Sequence, residues 1–144
     1  MDPNWNKPAG VPISAIIFGE RRRDTIPLLM QARNWQQGVF YAATMCTEVN
    51  PKSGHKLQLQ RDPFGILPFA SYPMTEYFAY WLEIGSRISP THLPAMFILN
   101  LFREGEIREN GSMVNACWPG FGDNSRLLKW ICRRIDKDPT LSVL

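Results

Sequence analysis

The sequence predicts an α/β fold: a mixed sheet with flanking helices. Three observations carry that expectation. Residues 11–18 (VPISAIIF) and 95–102 (AMFILNLF) are nearly continuous apolar runs of strand length, as strands covered on both faces require. Several other segments repeat apolar residues at helical spacing. Strand and helix signals then alternate along the chain, the order found in layered α/β domains. At 144 residues the chain can bury one core and is short for two ordinary domains, so residues 1–144 are read as one unit.

The first strand, residues 11–18, runs into the charged turn Gly19-Glu20-Arg21-Arg22-Arg23. Thr25 and Pro27 resemble a helix start, and Leu28, Leu29, Ala32, Trp35 and Val39 recur at helical spacing, so a helix is expected over residues 27–45. Residues 47–56 (TEVNPKSGHK) are polar, hold Pro51 and Gly54, and read as an exposed loop. Residues 57–60 alternate as a short strand before Asp62-Pro63-Phe64-Gly65. Thr75 is placed to cap a helix running to Ile84, with Phe78, Trp81 and Leu82 inward. After Pro90 and Pro94 comes the second apolar strand. Residues 104–115 are polar, and their Asn110-Gly111 pair marks a hairpin tip or a flexible excursion. Residues 118–124 (WPGFGDN) form a rigid turn. Ser125 then caps a last helix to Ile135, with Leu127, Leu128, Ile131 and Ile135 inward and Arg126, Lys129, Arg133 and Arg134 outward.

Composition excludes several classes. Hydrophobic residues make up 44% and charged residues 20%, too apolar for a disordered tail. Sixteen Lys+Arg against thirteen Asp+Glu leave a net charge of +3, which does not mark a nucleic-acid binder. No apolar run approaches the roughly 18 residues that span a bilayer. The first residues, MDPNWN, lack the pattern of a secretory signal. Cys46, Cys117 and Cys132 are odd in number and far apart, and read as reduced thiols of a cytosol-like compartment. His55 and His92 are distant from one another and read as loop or surface residues.

Two clusters have chemistry worth weighing. Arg21-Arg22-Arg23 follows a buried strand, and guanidinium groups on a rigid element bind phosphate oxygens bidentately. Adjacent arginines cannot all face one way, so one or two would enter a site; the alternative is a solvated turn. In residues 118–124, glycines let the backbone approach a flat ligand, Phe121 offers a stacking face and Asn124 an amide for a base edge. The alternative there is a tight turn into a capped helix. The sequence holds no G-x-x-x-x-G-K-[ST] loop, no metal-ligand spacing and no nucleophile–base set.

Taken in order, six blocks resemble GTP-dependent phosphoenolpyruvate carboxykinase: GVPISAIIFGERR (10–22), WQQGVFYAATM (35–45), Asp62-Pro63-Phe64, YFAYWL (77–82), NLFR (100–103) and WPGFGDNSR (118–126). The resemblance extends over about residues 10–135 and points to part of that family's C-terminal nucleotide-binding domain. It implies conversion of oxaloacetate and GTP to phosphoenolpyruvate, GDP and carbon dioxide in gluconeogenesis, with Mn²⁺ and Mg²⁺ as cofactors. It implies that Arg21 contacts the transferring phosphate with Arg22 beside it. Phe121, Gly122, Asp123 and Asn124 become the guanine-binding turn, Phe102 a further wall of the pocket, and residues 47–56 a lid. Such lids exclude water from reactive intermediates.

The sequence departs from the family at Glu20, where a Gly is usual, and at Leu101 and Ala116, where aromatics are usual. A carboxylate at Glu20 is expected to attract Arg21 and repel phosphate. Residues 104–117 are longer than the family's segment. The family's phosphate loop, its Lys, His and Asp metal ligands and its oxaloacetate-binding arginines have no counterpart in these residues, so no metal ligand is assigned and the chain is expected to be inactive alone. The expected partners are GTP or GDP and oxaloacetate or phosphoenolpyruvate, with no nucleic acid, no membrane and a monomeric state. The expected location is the cytoplasm, with a mitochondrial parent as the other possibility. Two further readings stand beside the carboxykinase fragment: a non-catalytic guanine-nucleotide-binding module, and a degenerate gene product.

Overall fold

The computed structural model describes residues 3–49, 58–105 and 117–141. The chain forms β1 (Ala15–Gly19), β2 (Leu29–Gln31), α1 (Trp35–Ala43), β3 (Cys46–Val49), β4 (Gln58–Arg61), α2 (Met74–Arg87), β5 (Ala95–Leu99) and α3 (Asn124–Ile135). Three strands make the main sheet in the order β1-β5-β2, with β1 parallel and β2 antiparallel to β5. The pair β3 and β4 forms a separate antiparallel ribbon. This is the expected mixed α/β arrangement.

Strand alternation divides the sheet's side chains between two helical layers. Met96, Ile98 and Phe18 point to one face, where they meet Trp35, Val39 and Ala42 of α1. Trp81 of α2 joins them through Phe18, Trp35 and Phe64, with ring centroids 5.5–5.9 Å apart. Its carbonyl accepts a 2.6 Å hydrogen bond from the Trp35 indole. Phe97 points to the opposite face and meets Trp130 of α3 edge-on at 6.2 Å. Gly38 lets α1 lie directly on the sheet, because a Cβ there would collide with the Met96 side chain.

Several elements differ from the sequence reading. The helix expected over residues 27–45 is two elements. Leu29–Gln31 pair with β5 as β2, and the helix begins only at Trp35, where the Asn34 side chain accepts from the Gln37 N–H at 2.9 Å. Pairing with the central strand and a better cap overrode the helical spacing of Leu28, Leu29 and Ala32.

The first strand is confined to Ala15–Gly19, and the second stops at Leu99 rather than Phe102. β1 is not covered on both faces: Ile17 is 39% exposed, and among the described residues the strand lies at the sheet edge. The short strand is Gln58–Arg61. α2 starts after Pro73 without a side-chain cap, so Thr75 does not serve as one, and it continues to Arg87. Asp123 stands at the N-cap of α3 in place of Ser125, whose hydroxyl donates to the Gly122 carbonyl at 3.0 Å.

Leu127 and Ile131 are buried as expected, but Leu128 is exposed. Arg133 and Arg134 are half-buried rather than outward, bonded to Asp138 at 2.7 Å and to Gln31 at 2.8 Å. Thr47–Val49 belong to β3 instead of an exposed loop, while residues 50–56 lie outside the described residues. Of the 104–117 excursion, residues 106–116 lie outside them too, including the Asn110-Gly111 pair and Ala116.

Candidate functional site

β1 and β5 run parallel, and both chains turn away at the same end of the sheet. The crevice beyond the carboxyl ends of parallel strands is where open α/β sheets place ligands. Here it is a shallow cavity of about 270 Å³ lined by Gly19, Glu20, Arg21, Thr47, Leu99, Leu101 and Phe102. The two residues that close it come from different strand ends. Arg21 follows β1, Phe102 follows β5, and the Arg21 guanidinium lies 4.8 Å from the Phe102 ring centroid. A cation and an aromatic face, brought within cation–π reach, thus share one cavity.

The other two arginines of the turn are directed elsewhere. Glu48 of β3 is buried, and its Oε1 accepts from the Arg23 N–H at 2.9 Å. Its carboxylate lies 4.0 Å from the Arg22 Nε and 3.5 Å from the Arg23 Nε; Arg23 also reaches Glu104 at 3.4 Å. The Glu48 N–H donates to the Arg21 carbonyl at 2.8 Å, so β3 braces the turn through its backbone as well. Arg22 additionally donates to the Thr25 hydroxyl at 2.9 Å. Arg21 alone of the three lines the cavity.

Asn100 fastens the same turn to the end of β5. It is fully buried and makes four hydrogen bonds. Its Oδ1 accepts from the N–H groups of Arg22 at 3.1 Å and Phe102 at 3.3 Å, and its Nδ2 donates to the carbonyls of Arg22 at 2.7 Å and Ile26 at 3.0 Å. One amide therefore holds the segment carrying Arg21 and the segment carrying Phe102 together.

Glu20 also lines the cavity. Burial pushes its carboxyl above the ordinary 4.5, against the opposing effects of the Arg22 charge and the Cys46 N–H.

The turn at residues 118–124 presents its groups separately. Phe121 is 99% exposed and has φ 36°, left-handed backbone that an aromatic residue adopts only under strain. Gly120 before it, at φ 85°, takes a conformation that suits glycine. The Trp118 indole donates to Asn124 Oδ1 at 2.8 Å. Because an indole N–H only donates, this bond fixes the amide and directs its Nδ2 to any further partner. Asp123 pairs with Arg126 at 3.1 Å, and Arg126 lies over the Trp118 ring. The cavity between Arg21 and Phe102 is not lined by Phe121, Gly122, Asp123 or Asn124. The structure thus unites Arg21 with Phe102 and leaves the residues of the 118–124 turn outside that cavity.

Sequence reading missed Glu48 and Asn100. Asn100 carried a faint signal, a lone amide closing a five-residue apolar strand. Glu48 carried none, because it sits in a polar stretch that resembles a loop.

A family profile described as the phosphoenolpyruvate carboxykinase C-terminal P-loop domain matches residues 1–142. The chain belongs to that family. Its relatives include phosphoenolpyruvate carboxykinase [GTP] of Treponema pallidum (strain Nichols), 44% identical over 135 residues. That alignment covers 92% of this chain and 21% of the relative. The protein of the same name from Chlamydia abortus is 43% identical over 143 residues, covering 99% of this chain and 23% of the relative. That from Neocallimastix frontalis is 41% identical over 136 residues, covering 94% and 21%. The chain thus spans about a fifth of the length of these relatives.

Among the described residues, no three His, Cys, Asp or Glu side chains gather where they could hold an ion. Glu48, the one buried carboxylate among them, lies 4.0 and 3.5 Å from the Nε atoms of Arg22 and Arg23; its Oε1 accepts from the Arg23 N–H, and its Oε2 takes no hydrogen bond. The described residues do not fit Mn²⁺ or Mg²⁺.

Proposed function

We propose that this chain supplies the nucleotide-contacting part of a GTP-dependent phosphoenolpyruvate carboxykinase. That reaction takes oxaloacetate and GTP to phosphoenolpyruvate, GDP and carbon dioxide, and its gluconeogenic role belongs to this proposal. The observation that carries it is the Arg21–Phe102 pair at the carboxyl ends of parallel strands. A guanidinium there can take phosphate oxygens, and the ring beside it can pack against a base or sugar. Phe121 supplies an exposed stacking face, and the Nδ2 of Asn124 suits an acceptor such as the guanine O6. Asp123 and Gly122 set the turn from which both project. Arg22 acts behind Arg21, since its guanidinium donates to Thr25 and faces Glu48 at 4.0 Å rather than the cavity.

On this reading the chain binds guanine nucleotide and does not turn over by itself. Phosphoryl transfer needs oriented phosphates and neutralised oxygens, which the residues present do not provide. Mn²⁺ and Mg²⁺ come with the parent enzyme. We place the chain in the cytoplasm as a monomer; Cys46, Cys117 and Cys132 are free thiols, as a reducing compartment favours.

The test is a titration of the purified chain with GMP, GDP, GTP and AMP, read by tryptophan fluorescence. Guanine nucleotides should bind weakly, differ among themselves by less than about tenfold, and exceed AMP. Phe121→Ala should abolish that binding, and Arg21→Ala should change it little in the isolated chain, because Glu20 in the same cavity repels phosphate. Equal binding of AMP and GMP would sink the guanine assignment. Phosphoenolpyruvate formation by this chain alone, with Mn²⁺ supplied, would show that it carries the whole reaction. Binding without any parent enzyme to complete would favour the stand-alone nucleotide-binding module.

A further inference from the structure

A second and larger opening lies at the far edge of the sheet. It is a groove of about 1120 Å³ running along residues 27–33, and β2 forms its floor. On one side stand Gln37 and Tyr41 of α1; on the other stand Trp118 and the α3 residues Arg126, Trp130 and Arg134. The groove is therefore bounded by both helical layers, and between them lies the edge of a strand.

That edge is ready for pairing. Toward β5, the Leu28 carbonyl accepts from the Asn100 N–H at 2.9 Å, and the Ala32 N–H donates to the Met96 carbonyl at 2.9 Å. Met30 lies opposite Ile98 in the same alternation. The N–H and C=O groups of Leu29 and Gln31 consequently point away from β5, into the groove. Neighbouring strands lie about 4.8 Å apart, so a strand added to β2 would run between the two helical layers. Among the described residues the sheet order ends at β2.

The charge of the groove selects its occupant. Its lining holds Arg33, Arg126 and Arg134 and no carboxylate; Asp123, outside the lining, pairs with Arg126 at 3.1 Å, and Arg134 donates to Gln31 at 2.8 Å, so the groove keeps a net positive charge. Arg126 and Arg134 are spread on the Trp118 and Trp130 rings, 5.3 and 5.7 Å from the centroids. A second copy of the chain, pairing β2 with β2, would set these arginines against their own equivalents. An extended segment with carboxylates at alternate positions would meet them with opposite charge while its backbone pairs with Leu29 and Gln31.

We propose that this groove is a docking site for an extended, carboxylate-bearing polypeptide strand that joins the sheet beside β2. The site shares no lining residue with the Arg21–Phe102 cavity, and at Trp118 and Arg126 it borders the turn that carries Asp123 and Asn124.

The experiment uses the full chain and synthetic peptides of about eight residues, the length of an ordinary strand. One alternates valine with glutamate, and the other alternates valine with lysine. Binding is read by anisotropy of a peptide label and by Trp118 and Trp130 fluorescence. The glutamate peptide should bind about tenfold or more tightly than the lysine peptide, and the preference should shrink in high salt. Arg134→Ala combined with Arg126→Ala should remove most of that preference.

Two N-methylated glutamate peptides, blocked at odd or at even positions, test the backbone pairing without altering the protein. One parity should lose binding and the other keep it, because only alternate N–H groups face β2. Equal binding of the acidic and basic peptides would overturn the proposal. So would the same response from both methylated peptides, release of the glutamate peptide by GMP, or concentration-dependent self-association that closes the groove to it.

Discussion

Replacing Asn100 with alanine removes four hydrogen bonds from a fully buried position between the arginine turn and the end of β5. Not all of the partners are stranded. The Ile26 carbonyl keeps the Arg103 guanidinium at 3.0 Å, and Phe102, nearly half exposed, can turn its N–H to water. The Arg22 N–H and carbonyl have no such substitute and are left partly buried. Two orphaned backbone groups at about 1–2 kcal/mol each give a cost of about 3 kcal/mol.

For a chain of this length that loss corresponds to a fall in Tm of roughly 6–12 °C. Urea unfolding followed by far-ultraviolet circular dichroism measures it, and the midpoint should fall while the slope is kept. Asn100→Asp separates the two halves of the amide. It keeps the acceptor for the Arg22 and Phe102 N–H groups, loses both donors, and sets a carboxylate against two carbonyls. It should cost at least as much at neutral pH and recover partly in acid, where the protonated form can donate once. A loss below about 0.5 kcal/mol for Asn100→Ala would refute the reasoning, because it would mean that the amide does not hold the turn.

Phe121→Ala should leave stability within about 0.5 kcal/mol, since the ring is 99% exposed and packs on nothing, while thermal protection by GMP disappears. Gly38→Ala should cost about 1–3 kcal/mol in urea unfolding, because the new Cβ would sit 2.7 Å from the Met96 Cβ; a neutral result would mean that α1 does not lie directly on the sheet. Glu20→Gln should raise Tm at neutral pH. Burial raises the Glu20 pKa, so its contribution is fully present below 4.5 and is lost as pH rises through the folded-state value. The gain from the substitution should therefore shrink as pH falls toward 4.5, and a gain independent of pH would contradict the assigned cause.

Much of the fold was legible locally because its cause is local. Residues 95–99 are apolar at every position, and a strand buried between two helical layers needs no more than that. The spacing of Leu127 and Ile131 marks the inner face of α3 for the same kind of reason. The family was legible because six motifs occur in order, and a profile match over residues 1–142 agrees. Within the candidate site, Arg21 and Phe102 were named from sequence. Their meeting was not deducible there, because it depends on β1 and β5 ending side by side.

Tertiary structure decided the rest. Leu28, Leu29 and Ala32 fit a helix by spacing, yet β5 presented an unpaired edge and took Leu29–Gln31 as β2. Local chemistry does not distinguish the three adjacent arginines, and only the family resemblance singles out Arg21 with Arg22 beside it. Glu48, arriving from another strand, lies beside Arg22 and Arg23, while Arg21 lines the cavity next to the Phe102 ring. A hydrophobic pattern is written along the chain and can be read along it. The partner of a buried charge or amide is chosen by which segments fold against it, and nothing in the neighbouring residues records that choice.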